Sequence, residues 1–199
     1  MSGAGKGIEE LMKYLQQAWL VLALALLFGA SLAGVYVALA DKIQANKLDE
    51  TLRQIPALVE GASNGQATEV AGRTVYRALD AEGKQVGWVV PASGQGFADT
   101  IELLIGLDCQ AGNIKGLYVL SQKETPGLGS KVTESRFLQG FAGKSTDSPL
   151  SVTKAASPGA GEILAVTGAT VSSESVTQIV NKNITQLRSE LASAAQLRP

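Results

Sequence analysis

The apolar pattern divides the chain into two unlike parts. Ala18 to Ala40 is a run of 23 residues without charge, with Ser31 its one polar side chain. At 1.5 Å per residue a helix there is roughly 34 Å long, enough to cross a bilayer with some tilt. Trp19 and Tyr36 stand near its ends, where amphipathic rings favour the headgroup layer. The run is longer than the apolar stretch of a cleaved signal peptide, and acids precede it, so a retained helix is the expectation. Ala25, Gly29 and Ala33 recur every four residues, as do Ala30 and Gly34. Small residues at that spacing let helices approach closely, although such a helix is often rich in Ala and Gly without a partner.

Beyond the apolar run the period changes. Asp41 to Glu60 reads as a helix with Leu48, Leu52, Ile55 and Val59 on one face, and Pro56 as its end or kink. Gly61 to Ala67 reads as a connector. Thr74 to Asp80 and Gln85 to Val90 form strand-like runs around the turn Ala81-Glu82-Gly83-Lys84. Ile101, Leu103, Ile105 and Leu107 alternate along the next strand, and Cys109 continues that face as a small core residue. Ile114 to Leu120 follows as a strand. Glu134 to Phe141 is expected as a short helix with Phe137, Leu138 and Phe141 inward, and Ile163 to Val166 as a brief strand. Val176, Val180, Ile184, Leu187 and Leu191 mark an amphipathic C-terminal helix, with Ser172 or Ser173 as N-cap. Hairpins flanked by helices predict an α+β fold. The expected divisions are an N-terminal segment 1–17, a transmembrane helix 18–40, a juxtamembrane helix and linker 41–66, and a folded domain 67–199.

Composition narrows the chemistry. Net charge is −1, which leaves no footprint for nucleic acid. Histidine is absent and Cys109 is the sole cysteine. Those two facts remove histidine-based triads, histidine-ligated haem, the usual zinc sites and clusters held by four thiolates. No metal site or catalytic side chain is expected, and redox chemistry here needs an organic cofactor. Charge does not fix orientation, because Lys6 and Lys13 precede the apolar run while Lys42, Lys47 and Arg53 follow it.

Three segments have the small residues that let backbone approach a ligand. They are Ser93-Gly94-Gln95-Gly96-Phe97, Glu124-Thr125-Pro126-Gly127-Leu128-Gly129, and Thr167-Gly168-Ala169-Thr170 followed by Val171-Ser172-Ser173. The first two lie at strand ends, yet neither fits a P-loop or the dinucleotide fingerprint. The third places hydroxyls where a helix begins, and a helix start favours phosphate because its first N–H groups lack partners.

Taken with the single apolar helix, the Glu-Thr-Pro-Gly-Leu-Gly loop and the Thr-Gly-Ala-Thr motif, the chain resembles the G subunit of the Rnf complex, an ion-translocating ferredoxin:NAD oxidoreductase. It is similar also to the C subunit of sodium-translocating NADH:quinone reductase; the compact region between helix and motif favours the former. The resemblance implies an FMN-binding domain tethered by one membrane helix, in an electron-transfer subunit. It implies FMN joined through its phosphate to Thr170, a bond made from FAD by a separate magnesium-dependent flavin transferase. Thr167, Ser172 and Ser173 would then bond phosphate or cap the helix, and Gly168 and Ala169 would leave room for flavin and transferase. Glu124, Thr125, Gly127, Leu128 and Gly129 would lie against the isoalloxazine. The implied partners are the other membrane subunits of the complex, reached partly through the Ala25/Gly29/Ala33 stripe, together with the flavin transferase and the lipid bilayer. The implied location is the inner (cytoplasmic) membrane, with the N-terminus cytoplasmic and the domain on the periplasmic or outer side. The sequence departs from the family at Leu164, where Asp is usual; Glu162 lies two residues away and faces differently in a strand. Other membrane-tethered FMN proteins, and a single-pass binding or sensing protein without enzymatic function, remain as alternatives on the residues alone.

Overall fold

The computed structural model describes residues 3–196, so the first two residues of the 1–17 segment and the last three of the 67–199 domain lie outside it. Helix α1 is Gly3–Leu58, and the chain divides into two compact units, Met1–Lys47 and Leu48–Pro199. In the first unit α1 carries exposed Trp19, Leu26, Phe28, Leu32 and Tyr36. Gln16–Leu58 is, among the described residues, the one helix long and apolar enough to cross a membrane.

The second unit is α+β, as the alternation predicts. Strands β1 (Asn64–Val70), β2 (Arg73–Leu79), β3 (Gln85–Gln95), β4 (Thr100–Asp108) and β5 (Ile114–Ser121) form an antiparallel meander in chain order. The β2–β3 turn is held by Asp80, whose Oδ1 accepts the N–H groups of Glu82 and Lys84, with Gly83 at φ +83°. After β5 come a 3-10 turn (Gly129–Thr133), α2 (Ser135–Gln139), a parallel pair β6 (Ser151–Thr153) and β7 (Glu162–Leu164), and α3 (Thr170–Gln196).

The two-residue period of a strand sorts the sheet's side chains onto two faces. Ile101, Leu103, Ile105 and Leu107 of β4, with Trp88, Val90 and Ala92 of β3, join Val176, Ile179, Val180, Ile184, Leu187 and Leu191 of α3 in the larger core. The opposite face receives the end of α1: Ile55, Leu58 and Val59 pack with Tyr76, Ala78, Val89 and Leu104. Glycines pave that seat. A Cβ on Gly106 would come within 2.6 Å of the Leu58 carbonyl oxygen, and one on Gly65 would overlap Ile55 Cδ1.

Five local expectations are corrected. The connector stops early, because Asn64 already pairs with Leu79 at the start of β1. Ser93, Gly94 and Gln95 are ladder residues of β3 opposite Glu102, Ile101 and Thr100, so only residues 96–99 turn. Leu48 and Leu52 stay exposed while Ile55 and Val59 are buried. Cys109 is half-buried at the end of β4, where its thiol donates to Gln85 O at 3.3 Å; burial, with Asp108 beside it, pushes that thiol's pKa up. Ser172 and Ser173 do not precede α3 as caps: the helix begins at Thr170 and both lie in its first turn.

Candidate functional site

The Thr-Gly-Ala-Thr segment is a tight turn feeding directly into α3. Ala169 N–H donates to Val166 O at 2.9 Å, and Gly168 holds φ +82° at the third position of that turn, a conformation other residues resist. Ser173 clamps the turn from the helix side. Its hydroxyl donates to Ala169 O at 2.8 Å and accepts the Val166 N–H at 3.1 Å. Thr170 is therefore the first helical residue, and the leading N–H groups of α3 have no acceptor within the helix.

Thr170, Thr167 and Gly168 open onto a cleft of about 560 Å³, a size typical of small-molecule sites. Its walls come from Leu164 to Gly168, from Phe137, and from the charged residues Lys131, Glu134, Arg136 and Lys154. Among the described residues none of the three cations forms an ion pair. Three cations against one carboxylate, at a helix N-terminus, make an environment for a phosphate-bearing ligand. No local pattern in the sequence signals this convergence, because Lys154 comes from a segment 18 residues beyond Arg136. Leu164 lines the cleft as well, whereas Glu162 turns its carboxylate to the Gly159 N–H at 2.8 Å.

The remaining candidates do not line the cleft. Ser172 and Ser173 are 2% and 0% exposed, and their hydroxyls bond within the chain. Ala169 is buried beneath the turn. Glu124 is 4% exposed: Oε1 accepts the Ala98 N–H at 3.0 Å and Oε2 accepts the Ser172 hydroxyl at 2.5 Å. Thr125, Gly127 and Leu128 are exposed, with Gly127 at φ +74°, while Gly129 is buried against Glu124. Leu128 reaches the turn, its Cδ2 lying 3.5 Å from the place of a Gly168 Cβ. Phe97 and Val171 join Leu128 as exposed apolar side chains flanking these segments.

Residues 96–185 match the FMN-binding domain family. That part of the chain is similar to FMN-binding domains. The matched stretch runs from the Gly96 turn through the Glu124 loop and the cleft into α3, so it takes in every site residue named above. Three relatives are similar over part of the chain. One is the G subunit of the ion-translocating oxidoreductase complex of Methanosarcina acetivorans (33% identical, 55% of each chain). Another is the G subunit of the proton-translocating ferredoxin:NAD(+) oxidoreductase complex of Clostridium ljungdahlii (34%, 60% of this chain and 63% of the relative). The third is its Na(+)-translocating counterpart from Acetobacterium woodii (38%, 51% and 49%). The chain thus spans about half to three-fifths of these relatives. The chain also resembles two crystal structures in fold. They are NqrC from Shewanella oneidensis (TM-score 0.55, 22% identity, 69% of this chain and 73% of that one) and the C subunit of Na(+)-translocating NADH-quinone reductase from Parabacteroides distasonis (0.53, 22%, 60% and 62%). These relatives belong to the family that the sequence motifs resemble.

Proposed function

We propose that the protein is an electron-transfer subunit of a membrane-bound, ion-translocating ferredoxin:NAD oxidoreductase, with FMN joined through its phosphate to Thr170. The observation that carries this reading is the place of Thr170: first residue of α3, on the wall of a cleft whose three cations form no ion pair among the described residues. The G subunit relatives at 33–38% identity favour this reading over the C subunit alternative, which rests on likeness of fold.

Lys131, Arg136 and Lys154 are placed to hold the phosphate, and the free N–H groups of α3 add donors at the same end. Attachment is a phosphoryl transfer. The Thr170 hydroxyl oxygen attacks the flavin-side phosphorus of FAD, a P–O ester bond forms, and the phosphoanhydride bond breaks. AMP departs and the hydroxyl proton passes to the flavin transferase, so the absence of histidine from this chain is no obstacle. Bound FMN supplies exchange of one or two electrons. A phosphoester also removes dissociation, which matters for a domain on the outer side of the cytoplasmic membrane, where free FMN is scarce. The partners in this reading are the lipid bilayer, the other membrane subunits of the complex and the transferase.

The test is a denaturing gel viewed under ultraviolet light, with chain produced beside a flavin transferase. The parent and Thr167→Ala give a fluorescent band and Thr170→Ala gives none; intact mass shows the added FMN. A dark parent band from cells containing active transferase defeats the covalent reading.

A further inference from the structure

We propose that Glu124 is a positioning residue for the modification of Thr170. The inference rests on the covalent reading above and adds to it a device on the hidden side of the site.

One carboxylate joins three segments distant in sequence. Oε1 accepts the Ala98 N–H from the 96–99 turn, Oε2 accepts the Ser172 hydroxyl from the first turn of α3, and the side chain itself springs from the 124–129 loop. Two glycines give it room. A Cβ on Gly96 would overlap Oε1, and one on Gly129 would lie 2.6 Å from Oε2 and 2.7 Å from Ser172 Oγ. The Lys123–Asp99 ion pair at 3.3 Å ties the same turn and loop a second time, at the surface. Burying a carboxylate is costly unless its oxygens are bonded, and here both are, at the end of α3 where the macrodipole favours negative charge. An apolar side chain could fill the same volume. It would not fix the rotation of α3's first turn, two residues from the Thr170 hydroxyl. Phe97, Leu128 and Val171 are exposed, and each is adjacent in sequence to a residue that Glu124 bonds or abuts, so the clasp also bears on the surface they form. A transferase must meet this surface in a defined geometry.

The experiment measures the initial rate of flavin incorporation into the full-length chain from FAD and Mg²⁺ with a flavin transferase. Thr146→Val is the control for loss of a buried hydrogen bond elsewhere, since Thr146 Oγ1 donates to Ala111 O at 2.6 Å far from this loop in sequence. Displacing a reacting group costs rate steeply, so Glu124→Ala is expected to slow incorporation about tenfold or more and Ser172→Ala about threefold. Glu124→Gln, whose amide can accept from Ala98 and donate to Ser172 Oγ, is expected to stay within about twofold of the parent, as is Thr146→Val. A folded Glu124→Ala modified at the parental rate overturns the proposal alone. A loss no greater than that of Thr146→Val at equal thermal stability overturns it too. A parent chain that takes up no flavin overturns the reading beneath it. Should Glu124→Ala fail to fold, Gly129→Ala carries the same test: it keeps both partners and pries them apart, and a folded form modified at the parental rate is the contrary result.

Discussion

Gly106 of β4 lies under Leu58 of α1 so closely that a Cβ would meet the Leu58 carbonyl oxygen at 2.6 Å. That oxygen belongs to backbone, so neither side has a flexible atom to move. Gly106→Ala is expected to destabilise the domain by about 2 kcal/mol or more through overpacking. For a unit of this size that lowers Tm by roughly 4–8 °C, read by calorimetry. An unchanged Tm would mean that the helix end does not occupy this seat.

The same packing bears on truncation. Ile55, Leu58 and Val59 are buried, so a fragment beginning at residue 48 keeps the second core, while one beginning at residue 62 exposes its glycine floor. The first is expected to melt cooperatively and the second to aggregate or melt without a transition. Cooperative melting of both refutes this.

Gly168 has space for a side chain, its nearest neighbour lying 3.5 Å away, but its φ of +82° does not suit one. Gly168→Ala is expected to cost about 1–2 kcal/mol, and Gly168→Asn less, since Asn tolerates positive φ. Comparing the two melting curves separates backbone strain from lost space. Equal losses contradict the strain account.

If the cleft cations hold phosphate, replacing Lys131, Arg136 and Lys154 together with Ala should slow flavin incorporation about tenfold at low ionic strength. The gap should narrow in salt, which screens the parent's advantage. A salt-independent defect would point to lost shape instead. Leu164→Asp asks the complementary question about the departure from the family pattern, and faster incorporation is expected from it.

Acid should loosen the 96–99 turn. Asp99 has a lowered pKa, first because its carboxylate accepts the Thr100 N–H at 2.6 Å and then because of Lys123. A group whose folded pKa is depressed contributes stability above its unfolded value, near 3.9, and loses it as pH falls through the folded value. Asp99→Asn should flatten that part of the stability profile below about pH 4. An identical acid profile in the variant would show that the ties of Asp99 do not matter.

Much of the fold is legible because α3 buries one stripe and Ile101, Leu103, Ile105 and Leu107 alternate along β4, although β3 and β4 also bury Val89 and Leu104 on the opposite face. β1 escapes notice since it is an edge strand: Asn64, Gln66, Ala67 and Glu69 stay exposed and need only β2 as a neighbour. The start of α3 is misplaced for a different reason. Serines suggest a cap, but the Gly168 turn already launches the helix two residues earlier, and the serines tie it down from inside. Thr170 stands out in the sequence because its motif is contiguous. The cations do not, since tertiary folding brings Lys154 to Lys131 and Arg136. Glu124 is visible as part of a loop, while its burial depends on a partner 48 residues away.

Four hydroxyls occur within seven residues, at Thr167, Thr170, Ser172 and Ser173. Burial withdraws the two serines, so any enzyme or reagent arriving from solvent has two nucleophiles to choose between rather than four. Regioselectivity is thereby half decided before a modifying enzyme makes contact, and an active site that merely told the turn apart from the helix would complete it.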